Sequence, residues 1–196
     1  MSTPKQLKAA IRKRILAART GLAGETVLGL SARIAERLAG LTAYRASRHV
    51  LFYLSFDNEV RTDEMIQAAL AAGKTVYVPC VNEDERGLDI ARLAGLDERM
   101  FELNRFGIRE PKDRALAPVS AIDLALLPGL AFDARGGRVG FGAGYYDGLL
   151  KKFAGVTVAL AFDFQVLDRV PMEERDVPVR ALLTEKRTIN CERLPC

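Results

Sequence analysis

Histidine occurs once, tryptophan not at all and cysteine three times in these 196 residues, and each shortage closes off a class of chemistry. His49 is the sole histidine, so a Ser-His-Asp triad would have to be built around it, and a histidine-rich metal site is impossible. It opens a strand-like run without a partner motif and reads as a structural or surface residue. Cys80, Cys191 and Cys196 are odd in number and lack CxxC spacing, which argues against a disulfide framework or a structural zinc site. They read as reduced thiols of a cytoplasmic protein. No apolar run reaches the roughly 18 residues of a membrane span. The P-loop string GxxxxGK[ST] is missing, which excludes a classical P-loop NTPase. A net charge of +4 is too modest to indicate nucleic acid, and no aromatic stacking platforms are interleaved with the cations.

What is present is a chain that is 49% hydrophobic, enough for one compact domain over residues 1–196. The first 19 residues carry Lys5, Lys8, Arg12, Lys13, Arg14 and Arg19 without an acid, as a transit peptide would. Serine is scarce there and no linker follows, so the segment is expected to belong to the mature fold. Leu7, Ile11, Ile15 and Ala18 recur at helical spacing, with Lys8, Arg12 and Arg19 on an adjoining face. Val27, Leu30, Ile34, Leu38 and Leu41 predict a second helix ending at Gly40.

The period then changes. Val50 to Leu54 reads as a strand buried on both faces, and Thr62, Asp63 and Glu64 open a helix that ends near Gly73. Thr75 to Val78 supplies a parallel partner through a right-handed crossover. Further strands are expected at Leu88–Leu93, Ile122–Leu127, Thr157–Phe162 and Ala181–Glu185, with a helix over Tyr145–Phe153 and loop and short helix over 94–120. The fold class is therefore α/β: a Rossmann-like, three-layer α/β/α domain around a mostly parallel sheet. Ligands of such sheets gather at the carboxyl ends of strands, where the loops after Leu54 and Leu127 lie.

The second of these loops is rich in glycine. Gly136, Gly137, Gly140, Gly142 and Gly144 suit a backbone that wraps an anion, with the helix that starts near Tyr145 adding its positive end. GxGxG at 140–144 leaves a dinucleotide reading open, with Asp163 about 20 residues on as a ribose acid. The loop from Leu127 to Gly140 is long for that motif's tight first turn.

A longer pattern ranks ahead of it. Pro-Gly-x-Ala-Phe-Asp followed by Gly-x-Arg-Val-Gly-Phe-Gly-x-Gly-Tyr-Tyr-Asp resembles the signature of the 5-formyltetrahydrofolate cyclo-ligases, or methenyltetrahydrofolate synthetases. Lys8-x-x-Ile-Arg12, Tyr53-Leu54 with Glu59 and Thr62, Phe106-Gly-Ile-Arg-Glu-Pro111, Ala159 to Asp163 and Asp176-Val177 are similar, in order, to other parts of that family. The resemblance implies ATP- and Mg2+-dependent closure of 5-formyltetrahydrofolate to 5,10-methenyltetrahydrofolate, with release of ADP and phosphate. It implies ATP binding by Lys8, Arg12 and the segment Arg138, Val139, Gly140, Phe141, Gly142, Ala143, Gly144, Tyr145 and Tyr146. Arg138 and Tyr145 stand as the catalytic residues, Arg138 because guanidinium donates two parallel hydrogen bonds to phosphate.

Leu54, Glu59, Phe141, Gly142, Gly144 and Tyr145 are implied to bind the folate, which can carry a polyglutamate tail. Asp147 and Asp176 are the implied magnesium ligands, hard oxygens of the kind that metal takes. Two positions depart from the family: Ala143 stands where several members have lysine, and Arg175 where many have histidine. A monomer is expected. The competing reading is a non-catalytic relative that binds nucleotide or RNA through the basic helix and the glycine-rich loop.

Overall fold

The computed structural model describes residues 3–191; Cys196 lies outside them. Helix α1 (Pro4–Thr20) opens on a capping box in which Thr3 and Gln6 satisfy each other's backbone amides, with Pro4 in the first turn. Two of its six cations, Lys8 and Arg19, are buried along with Ile15, which no helix destined only for a solvated surface would show. Helices α2 (Gly24–Gly40) and α3 (Thr42–Ala46) lead into strand β1 (His49–Leu51), helix α4 (Asp63–Ala71), and strands β2 (Thr75–Asn82) and β3 (Gly87–Leu93).

Strands β4 (Phe101–Leu103), β5 (Arg109–Pro111), β6 (Leu116–Ala117), β7 (Leu124–Leu127), β8 (Ala131–Asp133) and β9 (Arg138–Val139) follow, then helix α5 (Tyr145–Leu150). Strands β10 (Val156–Leu160), β11 (Val166–Leu167), β12 (Ala181–Leu183) and β13 (Thr188–Asn190) complete the described chain.

The main sheet runs β13-β12-β10-β7-β1-β2-β3-β6, parallel from β12 to β2 and antiparallel at both margins. Alternate residues of each central strand supply the two cores. Val50, Val76, Leu124, Leu126, Val158 and Leu183 face α2 and α4, while Leu51, Tyr77, Ala125, Leu127, Ala159 and Leu182 face α5. This is the α/β sandwich expected from the apolar runs, although its second face carries only one short helix. A small sheet, β11-β8-β9, packs beneath α1 through Ile15, Leu130, Ala131, Val139 and Val170.

Five expectations change. The first strand stops at Leu51, because Thr62 Oγ1 donates to the Tyr53 carbonyl and draws residues 52–62 into a loop. Residues 94–120 hold the β4–β5 ladder and β6 as well as short 3-10 turns. The stretch 128–144 is not one open loop but contains the β8–β9 hairpin. Asp133 turns that hairpin by accepting from the amides of Arg135 and Gly137. Gly136, at φ +85°, sits where a Cβ would lie 2.2 Å from the Val179 carbonyl oxygen, so only glycine fits. The expected helix over Tyr145–Phe153 ends at Leu150, and the last expected strand ends at Leu183 rather than Glu185. Among the described residues no helix is long and apolar enough to cross a membrane. Cys80 and Cys191 are free thiols, and burial pushes the Cys80 thiol up to about 12, out of the reactive range.

Candidate functional site

The loop after β1, residues 140–144, α1 and residues 173–177 meet at the carboxyl edge of the central strands. Arg12 Nε donates to the Gly140 carbonyl at 2.8 Å and so anchors the glycine-rich segment to α1. Gly142 takes φ +111°, and a Cβ there would approach the Arg12 guanidinium to 3.4 Å. Arg138 is buried, with Nη2 donating to Asp147 Oδ1 at 2.9 Å and the guanidinium 5.6 Å from the Tyr146 ring centre. Its Nε is buried without a partner. A buried donor left open costs free energy unless a ligand takes it, which suits a clamp awaiting an anion.

Lys8 makes a different contact from the one its spacing suggests. Its ammonium donates to Glu173 Oε2 at 2.8 Å and to Asp176 Oδ2 at 2.5 Å. Burial pulls the Lys8 ammonium down, but the hydrogen bonds to Asp176 and Glu173 outweigh it and hold it above its ordinary value. Asp176 is raised by burial and lowered more by Lys8 and the Glu173 amide, so it stays below the usual carboxylate range. Asp147 and Asp176 flank Val177, whose amide points at Asp147 Oδ1 from 3.4 Å. Among the described residues, Asp147 Oδ2 and Asp176 Oδ1 make no hydrogen bond. Two hard oxygens in reach of a phosphate clamp fit a magnesium ion that keeps most of its ligands as water and phosphate.

On the other side of the loop lies Glu59, only 5% exposed. The Phe56 amide points at its Oε2 from 3.4 Å, and Arg19 Nη1 stands 3.6 Å from its Oε1. Burial pushes Glu59 up to about 7 against the pull of Arg19. Phe56 and Phe141 pack at 5.6 Å, and the Arg19 guanidinium lies 5.5 Å from the Phe141 ring centre. Leu54 is buried in the core beside Tyr146. Tyr145 turns outward, its hydroxyl accepting from Arg105 Nη2 at 3.1 Å and its ring meeting Phe106 edge-on at 6.5 Å.

Most of the residues singled out in the sequence thus converge, but not all in the same way. Tyr145 and Tyr146 diverge, the first towards Arg105 and Phe106, the second towards Arg138. Val139 sends its side chain into the small core with Ile15 and Val170, so it supports the loop from below. Asp163, the ribose acid of the dinucleotide reading, is taken up by Thr184 and Arg187, tying the 3-10 turn after β10 to the β12–β13 connection. Arg175 is exposed beside Glu173, and Ala143 is exposed in the loop. Arg19 carries no role in the sequence pattern beyond its place in a row of cations, yet its side chain is among the most buried in the protein. Below α5 a cleft of about 620 Å³ runs past Leu150, Phe153, Met172, Val177 and Pro178, rimmed by Arg135, Arg169 and Arg180.

Comparison with known proteins agrees with this fold. Residues 4–185 match the model of the 5-formyltetrahydrofolate cyclo-ligase family. A mouse 5-formyltetrahydrofolate cyclo-ligase is 30% identical over 94% of this chain and 94% of its own length. The Escherichia coli K12 cyclo-ligase is 34% identical over 70% of this chain and 78% of its own. A solved 5,10-methenyltetrahydrofolate synthetase from Aquifex aeolicus superposes with a TM-score of 0.83 at 32% identity, covering 97% of this chain and 95% of that one.

Proposed function

The chain belongs to the 5-formyltetrahydrofolate cyclo-ligase family, and from that premise we propose that its site closes 5-formyltetrahydrofolate to 5,10-methenyltetrahydrofolate with ATP as co-substrate. The observation that carries this reading is the placement of Glu59 on one side of the Phe141–Gly144 loop and of Lys8, Arg12 and Arg138 on the other. One acid for a ring with N–H donors and one set of cations for a triphosphate are held about a shared loop.

The formyl oxygen is a poor leaving group. Transfer of the γ-phosphoryl group to it makes it a good one, and the neighbouring amine nitrogen then attacks the formyl carbon as the phosphate leaves with that oxygen and the amine gives up its proton. Such chemistry depends on positioning and on neutralising charge. Arg138 has an open donor for the transferred group, and the amides of Gly140 to Gly144 line its path. Lys8 exchanges part of its contact with Asp176 for phosphate. Magnesium, held by Asp147 and Asp176, would offset the charge of the phosphates. Glu59 accepts hydrogen bonds from the pterin, with Leu54, Phe141 and Tyr145 around the ring system. The adenosine end of ATP fits the cleft beside Val177 and Met172, on the side of the loop away from Glu59.

The working unit in this reading is a monomer of one domain, and the basic row of α1 serves the fold of a cytoplasmic enzyme. The nucleotide- or RNA-binding alternative leaves Glu59, Asp147 and Asp176 without a purpose. Purified protein mixed with 5-formyltetrahydrofolate and Mg-ATP is expected to give the near-ultraviolet absorbance of the methenyl product; no product at saturating substrates overturns the proposal.

A further inference from the structure

Arg19 is the one cation of α1 that touches neither a phosphate-side acid nor solvent. Its side chain is 1% exposed, and Nε and Nη2 are buried without a hydrogen-bond partner. Burying a guanidinium with open donors is costly, and such a group persists where something else depends on it. Three contacts show what that is. Nη1 lies 3.6 Å from Glu59 Oε1, Nη2 lies 3.7 Å from Asp57 Oδ2, and the guanidinium faces the Phe141 ring at 5.5 Å. The Arg19 carbonyl also accepts from Asn58 Nδ2 at 3.0 Å, so backbone and side chain of one residue grip residues 57–59 together.

We propose that Arg19 is a positioning residue that couples the two halves of the site, holding Glu59 ready for the pterin and seating Phe141 so that the phosphate loop is ordered beside it. This rests on the reading of Glu59 as the folate acid. At 3.6 Å the Arg19–Glu59 pair falls short of a hydrogen bond, and the unused donors leave room for a closer contact when the loop closes on a substrate. The guanidinium is out of water while Phe141 keeps about half of its surface exposed, so the buried cation holds one face of a ring that would otherwise be free in the loop. A change at Glu59 is therefore felt at Phe141 through a single side chain.

The charged and titratable groups that face Glu59 are Arg19 from α1, Asp57 and Arg61 from its own loop, Tyr53 before it, and Tyr146 from α5. Only Arg19 stands within 4 Å as a counter-charge among the described residues. Arg19→Met removes it, and Arg19→Lys restores a charge without the planar fork. Carbon-13 NMR of the Glu59 carboxyl in the whole protein is expected to show its midpoint, near 7 in the parent, rise by a unit or more in Arg19→Met and by less in Arg19→Lys. At pH 7 the KM for 5-formyltetrahydrofolate should rise about fivefold in Arg19→Met for the first unit of that rise, following the loss of ionised Glu59. The KM for ATP should change less.

An unmoved Glu59 midpoint, or a raised midpoint with an unchanged folate KM, overturns the proposal. Arg19→Gln, which keeps a polar group without the charge, takes the place of Arg19→Met if that variant does not fold. The carboxyl titration is read without turnover, so it separates failure of this coupling from failure of the cyclo-ligase reading, which would appear in the parent protein as absence of product.

Discussion

Two buried ion pairs hang from the same helix and behave in opposite ways. Lys8 meets Asp176 at hydrogen-bond distance, and both groups are held in their charged forms. Arg19 stops 3.6 Å from Glu59, and burial there outweighs attraction, leaving the carboxyl titrating at about 7. Distance and the number of hydrogen bonds decide which way a buried acid goes, since each removes a different share of the desolvation cost. The nucleotide side is thus fixed in charge across the physiological range, while the folate side sits at the edge of protonation.

The largest expected effect is on the fixed side. Arg138→Ala removes the open donor and leaves Asp147 unpaired, so kcat should fall by about 10²–10³-fold, the loss typical of a donor aimed at developing charge; steady-state kinetics with both substrates checks it. Lys8→Met comes next. It should raise the KM for ATP by roughly tenfold or more, as loss of a charged hydrogen bond does, and leave the folate KM near the parent value. A comparable loss in both constants would erase the distinction between the two sides.

Glu59→Gln sharpens it. The folate KM should rise by about tenfold, and the pH dependence of stability should change with it. Glu59 has its pKa raised on folding, from 4.5 to about 7, by burial. The unfolded chain therefore loses its proton first, and stability present below pH 4.5 is lost as pH rises towards 7, by at most about 3 kcal/mol. Asp176, held below its ordinary value, contributes stability that is present above pH 4 and lost as pH falls through its folded value. Denaturant melts between pH 3 and 8 should show both slopes in the parent and only the acid one in Glu59→Gln. The smallest effect belongs to Ala143→Lys. The position is exposed, and the added cation should lower the KM for ATP by no more than about threefold, in line with a solvated ion pair.

The central strands were legible because they are buried on both faces, and runs such as Ile122–Leu127 leave little other choice. The β8–β9 hairpin was not. Its glycines read as open loop until Asp133 and the Val179 carbonyl are brought beside Gly136 from distant parts of the chain. In the site, the motif residues Lys8, Arg138, Glu59 and Asp176 could be picked out by type and order, and the structure brings them to one rim. What spacing could not tell is which member of a row of cations turns inward. Arg19 looks like Lys13 or Arg14 in a sequence, and its burial depends on Phe141 and Asn58, far along the chain. Nor could it tell that Lys8 would find its carboxylate partner 168 residues away.

Lys8 and Arg19 stand eleven positions apart on α1, just over three full turns, so they point the same way with about 16 Å between their Cα atoms. The helix is accordingly a ruler: its length sets the separation between the place where phosphate is gripped and the place where the pterin is read. A single residue inserted between Ile11 and Leu16 would swing one mark of that ruler about 100° away from the other. The capped and tapered ends of α1 can drift in sequence, but the count between its two inward cations cannot.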